Sequence, residues 1–261
     1  MSATASAVAP VVLLLHAFPC DHTMWSAQAD QLTDAGYRVL APDLPGFGGA
    51  ALPAVAPDLD VVAGQLIEWL DEQQVTQCAV AGLSLGGYTA MALLRQAPER
   101  ITALMLVDTK ATADPPPALA NRLAVAERAE ADGNTEFLVE AMIPGLLGET
   151  TRSERPEVVD RTAAWIRAAA PATVAWYQRA MAQRPDSLAS LSQFNRPAAV
   201  IYGEEDTVLS PLGEQEAMVA VLPNSVLIRI PSAGHLSAVE RPTAVSEALL
   251  QFLAAQDQSK R

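Results

Sequence analysis

The feature that most constrains the fold of this chain is a recurrence of short apolar runs, each bounded by Gly, Pro or Asp. Longer segments with apolar residues three and four positions apart separate these runs, as in amphipathic crossover helices. This alternation predicts an α/β fold with a mainly parallel sheet of about six strands flanked by helices. The predicted strands are Val11–His16, Arg38–Ala41, Cys78–Ala81, Leu104–Val107, Ala198–Tyr202 and Val226–Ile230. The predicted crossover helices are Trp25–Gly36, Leu59–Gln74, Leu85–Gln96, Gly213–Val221 and Val239–Ala254.

The alternation stops between Lys110 and about Asn195, where proline-punctuated helical stretches replace it. Pro115-Pro116-Pro117 marks the entry, because consecutive prolines cannot continue a helix. We therefore predict an α/β core, residues 1–109 and 196–261, and a helical lid of about four helices, residues 110–195, inserted after the fourth strand. We expect the lid to be mobile. Trp176 and Met181 are expected to line an apolar substrate pocket, because the chain is returning to the core there.

Residues 1–10 are too few for the antiparallel hairpin that often opens such a sheet, so we expect no additional strand there. The first apolar run has no Lys or Arg before it and is too short to cross a bilayer, which favours a cytoplasmic protein without a signal peptide. Cys20 and Cys78 form neither a disulfide framework nor a metal-ligand spacing, so they are expected to be free and structural.

Charge limits the partners of this chain. Thirty Asp and Glu against 17 Lys and Arg give a formal charge of −13. Such a charge repels phosphate backbones and anionic lipid surfaces, so we expect neither nucleic acid nor membrane as a partner. A small-molecule substrate remains, and the chain is expected to be a monomer or a homodimer.

The segment Gly82-Leu83-Ser84-Leu85-Gly86 places a serine between two glycines, directly after a predicted strand and directly before a predicted helix. This is the arrangement of a nucleophile elbow, in which a sharp turn lifts the serine hydroxyl clear of the sheet. Glycines flank it because a Cβ two residues away on either side would collide with the turn. The Leu85 N–H and the helix dipole would then stabilise negative charge on a reacting oxygen.

A nucleophilic serine needs a base, and the chain has three histidines: His16, His22 and His235. In nucleophile-elbow hydrolases the order along the chain is Ser, then Asp or Glu, then His. Only His235 follows Ser84, and it lies on a small-residue loop just after the last predicted strand. His235 is therefore the predicted base.

The acid that orients this base should lie between them at the end of a strand. Glu204, Glu205 and Asp206 follow the fifth predicted strand, and Asp108 follows the fourth. We favour Asp206, with Asp108 as the rival, and expect the two glutamates to face solvent. A carboxylate here holds the imidazole tautomer and stabilises the imidazolium without taking the proton itself.

Five segments together resemble the successive signatures of α/β-hydrolases: Val12–Pro19, Pro42–Gly48, the elbow, Gly203–Asp206 and Gly234-His235. Over nearly the whole chain, the sequence is most similar to the bacterial group of 3-oxoadipate enol-lactonases and related carboxylesterases. The resemblance implies a lid of about four helices and Asp206 rather than Asp108 as the acid. It also implies that Phe18 gives the second oxyanion-hole N–H beside Leu85, and that His16 is structural. The acyl-transfer mechanism expected on Ser84 needs no cofactor or metal.

One departure from the group is Ala17, where these enzymes usually have Gly. Its methyl is expected to narrow the oxyanion hole or to shift the Phe18 N–H. A serine at the elbow argues against haloalkane dehalogenases and epoxide hydrolases, which resemble this group but have an aspartate there.

The sequence therefore predicts a serine hydrolase that cleaves a carboxylic ester or lactone of a small to medium, largely apolar substrate through an acyl-enzyme. Carbon–carbon bond hydrolysis, thioester cleavage or cofactor-free peracid formation on the same Ser84, Asp206 and His235 are the alternatives. A ligand-binding receptor on a hydrolase fold is an alternative of a different class, since fold alone does not decide function.

Overall fold

A computed structural model describes residues 9–258 of the protein. Its sheet has six strands, all paired in parallel, in the order β2-β1-β3-β4-β5-β6. The strands are β1 Val11–Leu15, β2 Arg38–Leu40, β3 Cys78–Leu83, β4 Ile101–Val107, β5 Ala198–Gly203 and β6 Ser225–Ile230. The predicted six-stranded parallel sheet is confirmed. Residues 1–8, where we expect no extra strand, lie outside the described residues.

Twelve α-helices occur between residues 9 and 258. They are α1 Ser26–Asp34, α2 Leu59–Glu72, α3 Leu85–Gln96, α4 Pro116–Asp132, α5 Glu136–Leu146, α6 Glu149–Glu154, α7 Pro156–Ala168, α8 Pro171–Ala182, α9 Leu188–Ser192, α10 Leu212–Val221, α11 Ser237–Glu240 and α12 Pro242–Gln258. The step from β1 to β2 runs in one direction across the sheet, and the steps from β2 to β3, β3 to β4 and β5 to β6 run in the other. Because each crossover is right-handed, α1 lies on one face of the sheet, and α2, α3 and α10 lie on the other. Consistently, α1 packs against α12, and α2 packs against α3.

The central strands are apolar because both of their faces are covered. Every residue of β3 and β5 is buried, as expected of parallel strands between two helical layers. The edge strand β6 is more exposed, and Val226 and Leu227 contact solvent there. The strand order reverses between β1 and β3, and in open α/β sheets a ligand binds beyond the carboxyl ends of the strands at such a switch point. Ser84 directly follows β3.

The segment between β4 and β5 contains six helices, α4 to α9, whereas we predicted about four. Two of these helices, α6 and α9, have six and five residues, which is too short for a helical period to be visible in sequence. Pro156 and Pro171 begin helices as N1 residues, while Pro144 lies inside α5 near its end. Within this segment, α4 with 17 residues packs against α8 with 12 residues.

Cys20 and Cys78 are both free and buried, as predicted. No helix within residues 9–258 combines the length and the apolarity needed to cross a bilayer.

Candidate active site

The turn between β3 and α3 holds Ser84 in a conformation that few residues adopt, with φ 53° and ψ −109°. A Cβ on Gly82 would lie 2.3 Å from the Gly86 carbonyl oxygen, and a Cβ on Gly86 would lie 2.0 Å from the Leu15 carbonyl oxygen. Both neighbours are backbone atoms and cannot move aside, so the glycines permit the close approach of β3, α3 and β1. The Ser84 amide donates to the Val107 carbonyl at 3.0 Å, which ties the turn to β4.

Ser84, His235 and Asp206 come together at the carboxyl edge of the sheet. His235 Nε2 lies 2.8 Å from Ser84 Oγ, and His235 Nδ1 lies 2.6 Å from Asp206 Oδ2. Burial alone would lower the pKa of His235, but the Asp206 carboxylate outweighs it, so the pKa lies above its ordinary value of 6.5. With the Nδ1 proton directed to Asp206, the lone pair on Nε2 faces the serine hydroxyl. This is the geometry that a general base requires.

Asp206 is fixed by the loop that follows it. Its Oδ1 accepts hydrogen bonds from the amides of Leu209 at 3.1 Å and Ser210 at 3.2 Å, and the Ser210 hydroxyl donates to Oδ2. Burial would raise the pKa of Asp206, but His235 and Ser210 together hold it below its ordinary range. The carboxylate is therefore charged and correctly oriented toward the imidazole.

Asp108, the rival acid, is completely buried nearby and bonds to the loops on either side of the triad. Its carboxylate accepts from the Gly203 amide at 2.6 Å, from the Ser237 amide at 3.2 Å and from the Ser237 hydroxyl. Burial and then the Asp206 carboxylate raise the pKa of Asp108 to about 8. The carboxylate that contacts His235 Nδ1, at 2.6 Å, is that of Asp206.

The predicted oxyanion donors flank Ser84: Leu85 is the first residue of α3, and Phe18 lines the same cavity as Ser84. The buried His16 bonds to loop backbone, since its Nε2 accepts from the Leu44 amide at 2.9 Å and its Nδ1 donates to the Ala17 carbonyl at 2.9 Å. Burial lowers the pKa of His16 to about 4, so the ring is neutral. The amide of Ala17 donates to Met24 Sδ at 3.1 Å.

A sequence model of the family described as "alpha/beta hydrolase fold" matches residues 10–242. The chain belongs to this family. Within it, the chain is 28% identical over 249 residues to a pimeloyl-[acyl-carrier protein] methyl ester esterase of Aromatoleum aromaticum, covering 89% of this chain and 94% of that protein.

Two solved structures superpose on this α/β-hydrolase. A thermophilic esterase from Thermogutta terrifontis, with malate bound, is 37% identical, with a TM-score of 0.90 over 95% of this chain and 90% of that one. An enol-lactonase from Burkholderia xenovorans is 23% identical, with a TM-score of 0.85 over 95% of this chain and 92% of that one. The second likeness concerns the fold alone.

Ser84 and His235 line a cavity of about 590 Å³. It lies between the carboxyl edge of the sheet and the helical insert between β4 and β5. Much of its lining is apolar, as is usual for small-molecule sites. The apolar lining side chains include Phe18, Val125, Leu138, Met142, Leu146, Met181, Val208 and Leu209.

Of the two residues predicted to line this pocket, the structure places one there. Met181 lines the cavity, together with Gln178 one turn earlier in α8. Trp176 is not among the lining residues, which corrects our expectation: its indole N–H donates to the Val55 carbonyl at 3.0 Å, and its ring packs on Tyr177. Five residues along a helix turn the side chain by about 140°, so Trp176 and Met181 point in different directions.

Sequence reasoning missed three charged residues of the cavity: Lys110, Asp114 and Arg122. Lys110 Nζ lies 3.1 Å from Asp114 Oδ1, and Arg122 Nε donates to Asp114 Oδ2. Burial would raise the pKa of Asp114, but Arg184 and Arg122 hold it well below its ordinary range. Arg122 shares the inward stripe of α4 with Ala118 and Val125, so a cation at an apolar position was the available signal.

Two glutamates join the insert to the loops of the triad. Glu240, completely buried, accepts from the Gly148 amide at 2.8 Å and from the Leu236 amide at 3.2 Å. Glu205 Oε2 accepts from the Thr150 amide at 2.9 Å, although we expected Glu205 to face solvent. Gly148, in the turn between α5 and α6, is thus linked through Glu240 to Leu236, the residue after His235. Thr150, in the first turn of α6, is bonded to Glu205, the residue before Asp206.

Among the described residues, Asp21, His22 and Asp43 form a group with three potential metal-ligand atoms. These atoms are already engaged, since His22 Nδ1 lies 2.8 Å from Asp43 Oδ1, and Asp21 Oδ1 accepts from the Thr23 amide at 2.9 Å. We assign no ion to this group.

Proposed function

We propose that this α/β-hydrolase cleaves carboxylic esters or lactones through an acyl-enzyme on Ser84. The observation that carries the proposal is the continuous chain of contacts from Ser84 Oγ to His235 Nε2 at 2.8 Å and from His235 Nδ1 to Asp206 Oδ2 at 2.6 Å, opening into a cavity. A neutral imidazole oriented by a charged carboxylate can take the serine proton.

In the first step, His235 takes the Ser84 proton while Oγ attacks the substrate carbonyl, and the carbonyl π electrons move to its oxygen. The amides of Phe18 and Leu85 donate to this oxyanion, where the N-terminus of α3 also favours negative charge. Collapse of the intermediate expels the alkoxide, which takes the proton from His235. Water then enters, loses a proton to His235 and releases the acid from Ser84 by the reverse sequence.

The substrate that fits is small to medium and largely apolar, because the wall around Ser84 is mostly aliphatic. The insert, residues 110–195, would act as a lid, because α4, α5 and α8 contribute lining residues opposite the sheet edge. Relatives named as esterases favour an ester over other carbonyl substrates on the same three residues.

The test is a panel of p-nitrophenyl esters with acyl chains from two to twelve carbons, beside a panel of small lactones. Short to medium chains should be preferred, and Ser84→Ala should abolish turnover while retaining the fold. A thioester and a β-diketone assayed at equal enzyme concentration identify the alternative chemistries. Stoichiometric labelling of Ser84 by a fluorophosphonate without turnover of any ester would contradict the proposal and favour a ligand-binding protein.

A further inference from the structure

The wall of the cavity carries a positive group in a protein of formal charge −13. Lys110, Asp114 and Arg122 all line it, and Asp114 is the carboxylate on which both cations converge. The Asp114 side chain has no solvent exposure, whereas Lys110 and Arg122 retain 15% and 20%. The two cations therefore present the accessible part of this group.

A third cation, Arg184, lies behind the wall and pairs with the same carboxylate. Arg184 NH2 lies 2.9 Å from Asp114 Oδ1, and the guanidinium stacks on Tyr88 with its carbon 4.1 Å from the ring centre. Glu214, which accepts from the Thr112 hydroxyl, is close enough to Arg184 to favour its charged form. Across the whole group, three cations face two carboxylates, so one positive charge remains in excess at the cavity.

Lys110 and Arg122 also have more N–H donors than they use on Asp114 and its neighbours. Lys110 forms an ion pair with Asp114, and its ammonium group has three N–H donors. Arg122 uses Nε on Asp114 and NH1 on the Gln178 carbonyl oxygen at 3.2 Å and on Met181 Sδ at 3.4 Å, out of five N–H donors on a guanidinium. If neutralising Asp114 and Glu214 were the whole role of the three cations, two of them would suffice.

The group is near the reacting serine. Thr109, the residue before Lys110, donates its hydroxyl to the Ser84 carbonyl at 2.9 Å. Tyr88, on which Arg184 stacks, donates its amide to the same carbonyl at 3.1 Å. A substrate bound at Ser84 can thus reach both cations within one cavity.

We propose that Lys110 and Arg122 form an anion subsite that binds a carboxylate of the substrate. The substrate is then an ester or lactone with an apolar middle and a carboxylate at the end remote from the reacting carbonyl. Asp114 is a positioning residue that holds the two cations side by side. Turnover of such a substrate rests on the proposed function, whereas binding of the anion does not.

The experiment compares kcat/KM for matched esters that differ by one carboxylate. The acyl arm pairs monomethyl esters of four- to eight-carbon dicarboxylic acids with methyl esters of the monocarboxylic acids of equal length. The alcohol arm pairs 4-acetoxybutanoate with butyl acetate. Charge-assisted hydrogen bonds of this kind predict a preference of about 10- to 100-fold for the carboxylate member in one arm.

Arg122→Met and Lys110→Met should each reduce that ratio about tenfold or more, and Asp114 keeps two cations in either variant, which preserves the fold. Arg128→Met is the matched control: it lies on α4, pairs with Asp132 and has a side chain 60% exposed to solvent. The ratio should not change in this control.

Binding is measured separately as the rise in thermal unfolding temperature with glutarate. If neutral and carboxylate esters are hydrolysed equally in both arms and glutarate gives no rise, the anion subsite is refuted while the esterase proposal stands. If no ester is hydrolysed but glutarate stabilises wild type and Arg128→Met and not Arg122→Met, the subsite stands and the esterase proposal fails. A rise that is equal in all three proteins refutes the subsite.

Discussion

The contacts of Asp206 make the effect of Asp206→Asn predictable in detail. In the native protein, Oδ1 accepts from two amides, those of Leu209 and Ser210, while Oδ2 accepts from His235 Nδ1. An asparagine side chain must keep its carbonyl oxygen on the two amide donors. Its NH2 group then occupies the Oδ2 position and donates to His235 Nδ1.

This exchange forces the proton of the neutral imidazole onto Nε2, where it faces the Ser84 hydroxyl. The ring then has no lone pair for the serine proton, although the positions of all heavy atoms are retained. Loss of the correct tautomer in an enzyme of this type lowers kcat by about 10⁴-fold, or about 5 kcal/mol of barrier. The control is Asp108→Asn, in which the altered carboxylate contacts Gly203 and Ser237 instead of the imidazole.

The assay is kcat/KM on the best p-nitrophenyl ester, with thermal unfolding to show that both variants are folded. Asp108→Asn should retain most activity but lose stability, by about 1–3 kcal/mol, because its NH2 group would face a buried amide donor. A folded Asp206→Asn variant within tenfold of wild type would refute the tautomer argument. An equal loss in Asp108→Asn would show that the acid had been chosen wrongly.

Three further predictions concern pH, backbone packing and chain length. The kcat/KM profile should rise with pH as His235 loses its proton, with a midpoint above 6.5 because its pKa is raised; a midpoint at or below 6.5 in a pH–rate series would contradict this. Gly86→Ala should destabilise the protein by about 1–3 kcal/mol or more in chemical unfolding, since its Cβ would lie 2.0 Å from a carbonyl oxygen of β1, whereas Gly213→Ala, with open space around it, should not. Met181→Ala should shift the preferred acyl length in the ester panel toward longer chains and Trp176→Ala should not, and the opposite pattern would return Trp176 to the pocket wall.

How much could be predicted from the sequence differs between the core and the insert. The strands of the core can be predicted because burial on both faces makes them continuous apolar runs. Ser84 and His235 can be predicted because glycines lie beside them, at positions where a Cβ would collide with nearby backbone. Asp206 was favoured over Asp108 from the residues and again by the family resemblance, but the sequence did not exclude Asp108, since both follow buried strands.

The insert gives no such local signal. Nearly every residue of α8 is buried, so its hydrophobic pattern does not indicate which side meets the cavity, and Trp176 was placed wrongly for this reason. The roles of Lys110 and Arg122 depend on Asp114 and Arg184, which precede α4 and follow α8 and are brought together where these two helices pack. From sequence alone, charged side chains in such a segment are expected to face solvent, and only the tertiary contacts show that these do not.

The bonds of Glu205 and Glu240 to the turn between α5 and α6 have a consequence for exchanging inserts between relatives. A chimera that replaced residues 110–195 would satisfy these two carboxylates only if its own backbone placed amides where Gly148 and Thr150 place theirs. Otherwise the buried Glu240 would be left with an unsatisfied oxygen, at a cost of about 1–3 kcal/mol or more, whereas the partly exposed Glu205 could bond to water. Successful transplants should therefore be cut so that the α5–α6 turn and the start of α6 stay with their host.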